Sequence, residues 1–461
     1  MLRRGDEILV CHRVSTVPAF PDYWAFPGGG VSRTDASIEA ALLREMVEEV
    51  GIAPDASGEL FLVDADIQSA VNADKLAWRA YVEAGSLFDH TPGFDIISER
   101  TTPPLAPLRF HNRFFTARCA VDPRLPDIDR PEFDAWRWVK PRDLLDEWLA
   151  HEVRIPPPLV MLLRDLVAHD SLEAAVAALA AAPPTGTHRI EFAPGVECLP
   201  LPTATLPPAT HTNCYFLGDV GGDFVVVDPA ARCDEGLALL EDKVKRIQAG
   251  GGTIIATIFT HRHSDHIGDL GRISQMYTAP IWTHAETHKR IPSCETDRVL
   301  AEGDSFELNG VTWSVTETSG HCPGMLCLVS EAGIVSADNV VMVGTILVPS
   351  GEGDMRAYMA DLARLDGLAP KLLFPGHGPV IANPTRLLNR YIRHRGARHA
   401  AVLEAVQGAS SLDAIAKAAY ADTPDAHPAL KVDQTLAHLK ALESEGRVVR
   451  SCDGHWSPAE S

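Results

Sequence analysis

The 461-residue sequence predicts a multidomain chain of mixed α+β and α/β class, and three observations carry that prediction. The alanine-rich "SLEAAVAALAAAPPTGTHR" (171–189) runs from helix formers into Pro-Pro-Thr-Gly, which marks a boundary. Beyond it, short β-branched runs alternate with helical stretches, the pattern of a layered α/β domain. After residue 385 that alternation gives way to amphipathic helices and one short hairpin. The expected organisation is a first domain at 1–182, a linker at 183–194, a second domain at 195–384 and a small third domain at 385–461.

Composition bounds the function. The chain is 46% hydrophobic and 22% charged, the balance of a soluble globular protein. No apolar stretch reaches the ~18 residues that would span a bilayer, so no membrane partner is expected. The opening "MLRRGDEILV" lacks an apolar core and is not expected to act as a secretory signal. Nine cysteines without a CxxC pair suggest reduced thiols in a cytoplasmic protein rather than a disulfide framework. A net charge of −21 argues against a broadly basic nucleic-acid surface and leaves room only for a local one.

In the first domain, "GGGVSRTDASIEAALLREMVEEVGI" (28–52) leads glycines into a helix. Glu45, Glu48 and Glu49 follow at i, i+3 and i+4, which stacks three carboxylates on one helical face. Such stacking is costly unless cations bind, and hard oxygen ligands suit Mg2+ or Mn2+ bridging to a diphosphate. The spacing resembles the Nudix box, with Gly30, Arg44, Glu45, Glu48, Glu49 and Gly51 in place. The resemblance implies an α/β/α sandwich in which the three glutamates hold the ions and Arg44 orients them through an ion pair. It also implies Glu45 or a downstream residue as base, Glu48 as a second catalytic carboxylate, Gly29, Gly30 and Arg44 at the substrate, and a structural Gly51. The box normally carries Glu where this chain has Ala36. The flanking "PDYWAFPGGGVSRTD", "LAPLRFHNRFFTARC" and "EVRIPPPLVMLLRDL" resemble the coenzyme A diphosphatase branch, which implies coenzyme A or a nucleotide derivative as substrate.

In the second domain, strands are expected at "NCYFLG", "DFVVVDP", "GTIIATIFT", "TWSVTET", "MLCLVS" and "GIVSAD". The third of these ends in "THRHSDHIGDL" (260–270), with three histidines and two aspartates in eleven positions. A strand end holds alternate side chains on one side, so His261 and His263 can serve one metal while Asp265 and His266 turn toward a second. Further donors stand at later strand ends: His321 in "TSGHCPGM", Asp338 in "GIVSADNV" and His377 in "LLFPGHGPV". This set resembles the metallo-β-lactamase superfamily over residues 195–382. The resemblance implies an αββα sandwich holding two Zn2+, with His261, His263 and His321 on one and Asp265, His266 and His377 on the other. Asp338 would bridge them, Asp265 would be catalytic and Asp228 would be structural. Two departures stand out: Met325 where many relatives carry another histidine, and Ala337 where Gly often precedes the bridging aspartate. Cys322, beside His321, reads as a packed thiol.

The last segment carries "RLLNRYIRHRGARHAAVLEAV", "SSLDAIAKAAY" and "VDQTLAHLKALESEG", then "RVVRSCDGHWSP" turning at Asp453-Gly454. Helices closed by a hairpin suggest a winged helix, and the whole resembles the β-lactamase-like protein 2 branch, which includes an endoribonuclease of single-stranded RNA. Arg390, Arg393, Arg395 and Arg398 form a local basic patch, from which Arg393 and Arg395 are expected to contact a phosphate-bearing substrate. The expected function is a bifunctional metal-dependent hydrolase. Its zinc half would cleave an ester- or thioester-like bond and its Nudix half a nucleoside-diphosphate derivative. The alternatives are a zinc-dependent endoribonuclease acting on single-stranded RNA, and a Nudix half that senses a nucleotide without cleaving it.

Overall fold

The computed structural model describes residues 1–90, 93–103, 109–291 and 296–459. Residues 105–108, the start of one quoted Nudix-flanking stretch, lie outside them. The chain divides into two units, Met1–Pro194 and Gly195–Ser461.

In the first unit the central strand is Glu7–Arg13, whose side chains alternate between two cores. Ile8 and Val10 face the helices Pro141–Leu149, Pro157–Val167 and Leu172–Ala181, while Leu9 and Cys11 face the helix Ile38–Val50. That is an α/β/α sandwich. The sheet runs Trp24–Ala25, Glu7–Arg13, Leu2–Arg4, His111–Arg118, Asp95–Thr101, and Phe133–Val139 pairs antiparallel with Glu7–Arg13. The helix Ile38–Val50 is bounded as its sequence demands. Ser37 caps its start by accepting from the Ala40 N–H at 3.0 Å, and Gly51 ends it at φ +67°, a left-handed turn that glycine adopts without strain. The segment 183–194, expected as a linker, contains the strand Ile190–Ala193, in which Glu191 pairs with Arg164 at 2.6 Å.

The second unit is built on two sheets. In the first, Arg298–Val299, Ile281–Thr283, Thr253–Phe259, Asp223–Val227, His211–Gly218 and Val196–Pro202 lie side by side in that order. In the second, Ser305–Leu308, Val311–Glu317, Leu326–Ser330, Gly333–Ala337 and Leu373–Pro375 do the same. The helix Asp234–Ala249 buries Leu237, Leu240 and Val244 against Phe224 and Val226 of the first sheet. Helices Met355–Gly367 and Pro384–Val406 bury Tyr358, Leu362, Leu388 and Tyr391 against Cys327, Ile334 and Leu373 of the second. The layers are αββα. The sheets are stitched at one edge, where Asn213 N–H donates to Gly376 O at 2.8 Å and the Leu326 N–H to Thr260 O at 2.9 Å.

Three helices, Pro384–Val406, Leu412–Ala419 and Pro428–Ser444, and a hairpin of Val448–Arg450 with Trp456–Pro458 complete the unit, around a core of Val402, Ile415, Leu439 and Trp456. No helix among the described residues is long and apolar enough to cross a membrane.

The four-arginine patch expected on the first of these helices divides in two. Arg390 and Arg393 are exposed, but Arg395 and Arg398 are 2% and 6% exposed. Arg395 donates to Ile346 O and to Gln434 Oε1, and lies over the Tyr358 ring; Arg398 bonds Ala419 O and Asp422. A helix of this length packs one face, and positions 395 and 398 fall on the packed face. Arg395 is therefore a buried strut and not a substrate contact, contrary to the expectation from sequence. Replacing it removes the guanidinium donor to the buried Ile346 carbonyl and leaves Gln434 Oε1 only the Val348 N–H at 3.4 Å, so Arg395→Ala is expected to destabilise the second unit by about 2–3 kcal/mol in denaturant unfolding. An unchanged unfolding midpoint would contradict the assignment.

Candidate metal centres

In the first unit the helix Ile38–Val50 presents Arg44 at its centre, with no exposure at all. Its guanidinium reaches Asp35 at 2.8 and 2.9 Å, Glu45 at 2.8 Å, Glu48 at 2.9 Å and Gly30 O at 3.4 Å. Burial works against that charge, yet the surrounding carboxylates hold the Arg44 pKa above its ordinary range. Asp35 was missed by sequence reasoning. It stands one position before Ala36 and supplies a fork-to-fork ion pair, so a carboxylate beside the empty box position was the available signal.

The carboxylates around Arg44 are cation-seeking. Glu49 accepts from the Gly28 N–H at 2.7 Å through one oxygen; its other oxygen, and the Oε1 of Glu48, are buried with no hydrogen-bond partner. Burial pushes the Glu45 and Glu49 carboxyls up, a penalty that a bound divalent cation removes. Residues and cation therefore fit. Gly29 is tightly placed: a Cβ there would sit 2.5 Å from the Glu45 carboxylate, which Arg44 pins. Gly51 acts at the helix end and Gly30 lends its carbonyl to Arg44.

In the second unit the donors stand at strand ends. Thr253–Phe259 delivers His261, His263, Asp265 and His266; Val311–Glu317 delivers His321, Gly333–Ala337 delivers Asp338, and Leu373–Pro375 delivers His377. Each imidazole has one nitrogen committed. His321 Nδ1 donates to Leu347 O and His377 Nδ1 to His211 O, both at 2.8 Å. His266 Nδ1 donates to Asp228 at 2.8 Å, and His263 Nε2 to Glu352 at 2.7 Å. Thr260 Oγ1 donates to Asp228 at 2.6 Å, leaving its lone pairs for His261 Nδ1 at 3.0 Å.

The remaining nitrogens therefore carry lone pairs, and they converge. His263 Nδ1 lies 3.1 Å from His261 Nε2 and 3.0 Å from His321 Nε2; His266 Nε2 lies 3.3 Å from His377 Nε2. Asp338 Oδ2 is 3.4 Å from His377 Nε2 and 3.8 Å from His321 Nε2, so it reaches both groups, while Asp265 Oδ2 is 3.6 Å from His377 Nε2. Facing lone pairs repel unless a cation lies between them, and two cation positions satisfy the whole set. Burial also pushes His261 well down and His321 to about 4, which keeps both rings neutral and able to ligate.

The departures have physical consequences. Ala337 sits at φ +44°, a left-handed conformation that explains why glycine suits this position. Met325, Cys322 and Ala337 form a small apolar cluster, and burial pushes the Cys322 thiol up to about 12. Gly376 admits no side chain, since a Cβ would lie 2.4 Å from Asp338 Oδ1.

Glu352 was also missed. It accepts from His263 through one oxygen and from Arg262 through the other, at 3.0 Å to Nε. It lies 89 residues from His263 in a Gly-rich turn, where no spacing rule reaches it. Outer-sphere partners of ligating histidines typically contribute 10- to 100-fold to metal affinity. Glu352→Gln is thus expected to weaken metal retention by about tenfold in competition with a chelator, with the circular dichroism spectrum unchanged. Equal retention by variant and wild type would remove Glu352 from the centre.

Comparison with known proteins relates each unit to a family. The NUDIX domain family matches residues 1–157, and the metallo-β-lactamase superfamily matches residues 207–377. A β-lactamase-like protein 2 homolog of Drosophila melanogaster is 28% identical over 260 residues, covering 52% of this chain and 86% of that protein. An atrochrysone carboxyl ACP thioesterase of Aspergillus fumigatus is 28% identical over 199 residues, 42% of this chain and 60% of that protein. The crystal structure of a NUDIX hydrolase from Alicyclobacillus acidocaldarius aligns with 38% of this chain and 90% of its own, at 27% identity and a TM-score of 0.34. This chain carries a NUDIX domain at residues 1–157 and a metallo-β-lactamase superfamily domain at residues 207–377, and the two matches together support a hydrolase.

Proposed function

We propose that the second unit hydrolyses an acyl thioester and the first cleaves a diphosphate linked to a nucleoside, coenzyme A or its acyl derivative being a substrate chemistry that serves both. One observation carries the thioester reading: the loops beside the His/Asp centre are aliphatic. Thr205 Oγ1 lies 3.4 Å from His377 Nε2, and its neighbour Leu206 is 55% exposed. The loop after Asp338 approaches that segment, with the Cβ direction of Gly344 3.8 Å from Pro208, and it exposes Val343 by 50%. An acyl chain can cover such side chains. The most exposed large hydrophobics among the described residues of this unit are aliphatic, a surface that suits an acyl chain better than stacked bases. The thioesterase relative supports the same reading.

Imidazole-rich donors suit zinc, and the all-carboxylate set of the first unit suits Mg2+ or Mn2+. Zinc bound at the His/Asp centre supplies an acidified water and a polarised carbonyl. The chain's own residues do the rest. His261, His263 and His321 hold fixed tautomers, and Asp338 joins the two donor groups. We assign to Asp265 the proton of the attacking water, a role its 18% side-chain exposure against 9% for Asp338 supports. In the first unit Arg44 spaces Glu45 and Glu48 so that their free oxygens face a diphosphate.

The two ion sets are separate, so single substitutions should separate the reactions. Asp265→Ala is expected to lower acyl-thioester hydrolysis by at least about 100-fold and leave diphosphate cleavage within about twofold, with Glu48→Gln giving the reverse. Loss of both reactions in either variant would replace two sites with one composite site. Cleavage of single-stranded RNA without thioester turnover would favour the endoribonuclease instead, and binding without any diphosphate cleavage would favour a nucleotide sensor.

A further inference from the structure

The helix Pro384–Val406 carries five arginines within its first fifteen residues, and they sort by face. Arg395 and Arg398 are buried, with their terminal nitrogens bonded inside the second unit. Arg386, Arg390 and Arg393, at i, i+4 and i+7, are exposed together on another face. At 1.5 Å per residue they form a stripe about 10 Å long. The stripe is unusual for this chain, in which 62 acidic residues outnumber 41 basic ones. Some exposed arginines elsewhere hold carboxylates, as Arg118 does Glu173, Arg246 Asp242 and Arg272 Asp234 at 2.7–2.9 Å, and others such as Arg79 and Arg130 do not; what sets these three apart is their alignment on one helix face. None of the three stripe arginines has an ion pair among the described residues. The nearby Asp366 is turned to Asn389 at 3.4 Å.

The position of the stripe matters as much as its charge. Arg390 donates to Met342 O at 3.0 Å, and the Tyr391 hydroxyl accepts from the Val341 N–H at 3.0 Å. The helix is thereby fastened to the loop that follows Asp338 and exposes Val343, the same loop that faces Pro208 beside the His/Asp centre. Running outward from that centre, a ligand would meet metal-binding donors, then aliphatic side chains, then guanidinium groups that have no carboxylate partner among the described residues.

We propose that Arg386, Arg390 and Arg393 bind the phosphate of a pantetheine-type thioester, so that the second unit selects substrates whose thiol arm is phosphorylated. The proposal rests on the thioester reading above and names its substrate class. Guanidinium forks pair with phosphate oxygens bidentately and tightly. A thioester brings an uncharged carbonyl and acyl group at one end and phosphate at the other, which matches the order donors, aliphatic loops, arginines. Because the stripe is remote from the reacting carbonyl, its contribution should appear in KM.

The test compares acyl-pantetheine with acyl-4′-phosphopantetheine, which differ by one phosphate and lack the diphosphate that the first unit would attack. The full chain is expected to show about tenfold higher kcat/KM for the phosphorylated thioester, through KM, and to lose most of that preference as salt is raised. In Arg386→Ala/Arg390→Ala/Arg393→Ala the ratio of the two kcat/KM values should fall to near one. The double variant Arg386→Ala/Arg393→Ala, which leaves the Met342 contact intact, should lose at least about threefold of the ratio. Acyl-coenzyme A and an acyl-loaded carrier protein, assayed alongside, reveal which phosphate source is preferred, and a drop for either in the triple variant supports the stripe. Equal kcat/KM for the two thioesters in wild type overturns the stripe and leaves the thioester reading standing, as does a triple variant that slows both equally. If neither thioester is hydrolysed, the thioester reading itself fails. Arginine-dependent cleavage of single-stranded RNA without a phosphorylated-thioester preference overturns the proposal in favour of a polynucleotide.

Discussion

Burying several metal-seeking donors together requires a partner that fixes their direction before any cation arrives, and the whole molecule is arranged around that constraint. In the second unit the partner is Asp228. It is 2% exposed, held at φ +49°, and accepts from the Thr260 N–H, the Thr260 hydroxyl and His266 Nδ1. Those three contacts tie the end of Asp223–Val227 to the loop after Thr253–Phe259. They also set the tautomer of His266 directly and that of His261 through Thr260. In the first unit the partner is Arg44, a buried cation that separates Asp35, Glu45 and Glu48. An isolated buried charge costs far more than either group could bear alone, so each counter-group is inseparable from its cluster.

The two clusters solve the same problem at different ranges. The carboxylates of the first unit come from one helix and the turn before it, so their geometry follows from helical pitch and one capped start. The second unit gathers its donors from the ends of four strands in two sheets. Its precision depends on the stitching between sheets: Asn213 bonds Pro375 O and Gly378 O at 2.9 and 2.8 Å, on either side of His377. Gly376 completes the join by leaving room for Asp338 and His266. Preorganisation of this kind places lone pairs where charge is to be neutralised, at no reorganisation cost when a ligand binds.

Beyond the donors, the C-terminal helices shape what reaches them. Tyr391 and Arg395 hold the loop after Asp338 from below, so the loop presents Val343 outward. On the thioester reading this loop is the hinge between chemistry and selection: its start carries a metal donor and its far side is gripped by the arginine-bearing helix. The same side-chain type thus serves two purposes within a dozen residues, according to which face of the helix it occupies.

Local spacing was enough to reveal the class of each unit and to single out most of the side chains that the structure gathers into its clusters. Three glutamates at helical intervals, and a strand ending in alternating histidines, are patterns whose geometry is contained in the backbone period itself. The six strands expected from β-branched runs form where the sequence places them, and the turn at Gly454 adopts φ +86°. The strand Val196–Pro202 was not legible, because Pro200 and Pro202 argue against pairing until the ladder with His211–Gly218 is seen. Asp35 at Arg44, Glu352 at His263, and Thr205 with Leu206 beside His377 were decided by tertiary structure alone. So was the division of one run of arginines into struts and a solvent-facing stripe. Each depends on a contact between segments far apart in the chain or on which helix face is packed, and neither quantity has a period that a one-dimensional sequence can display.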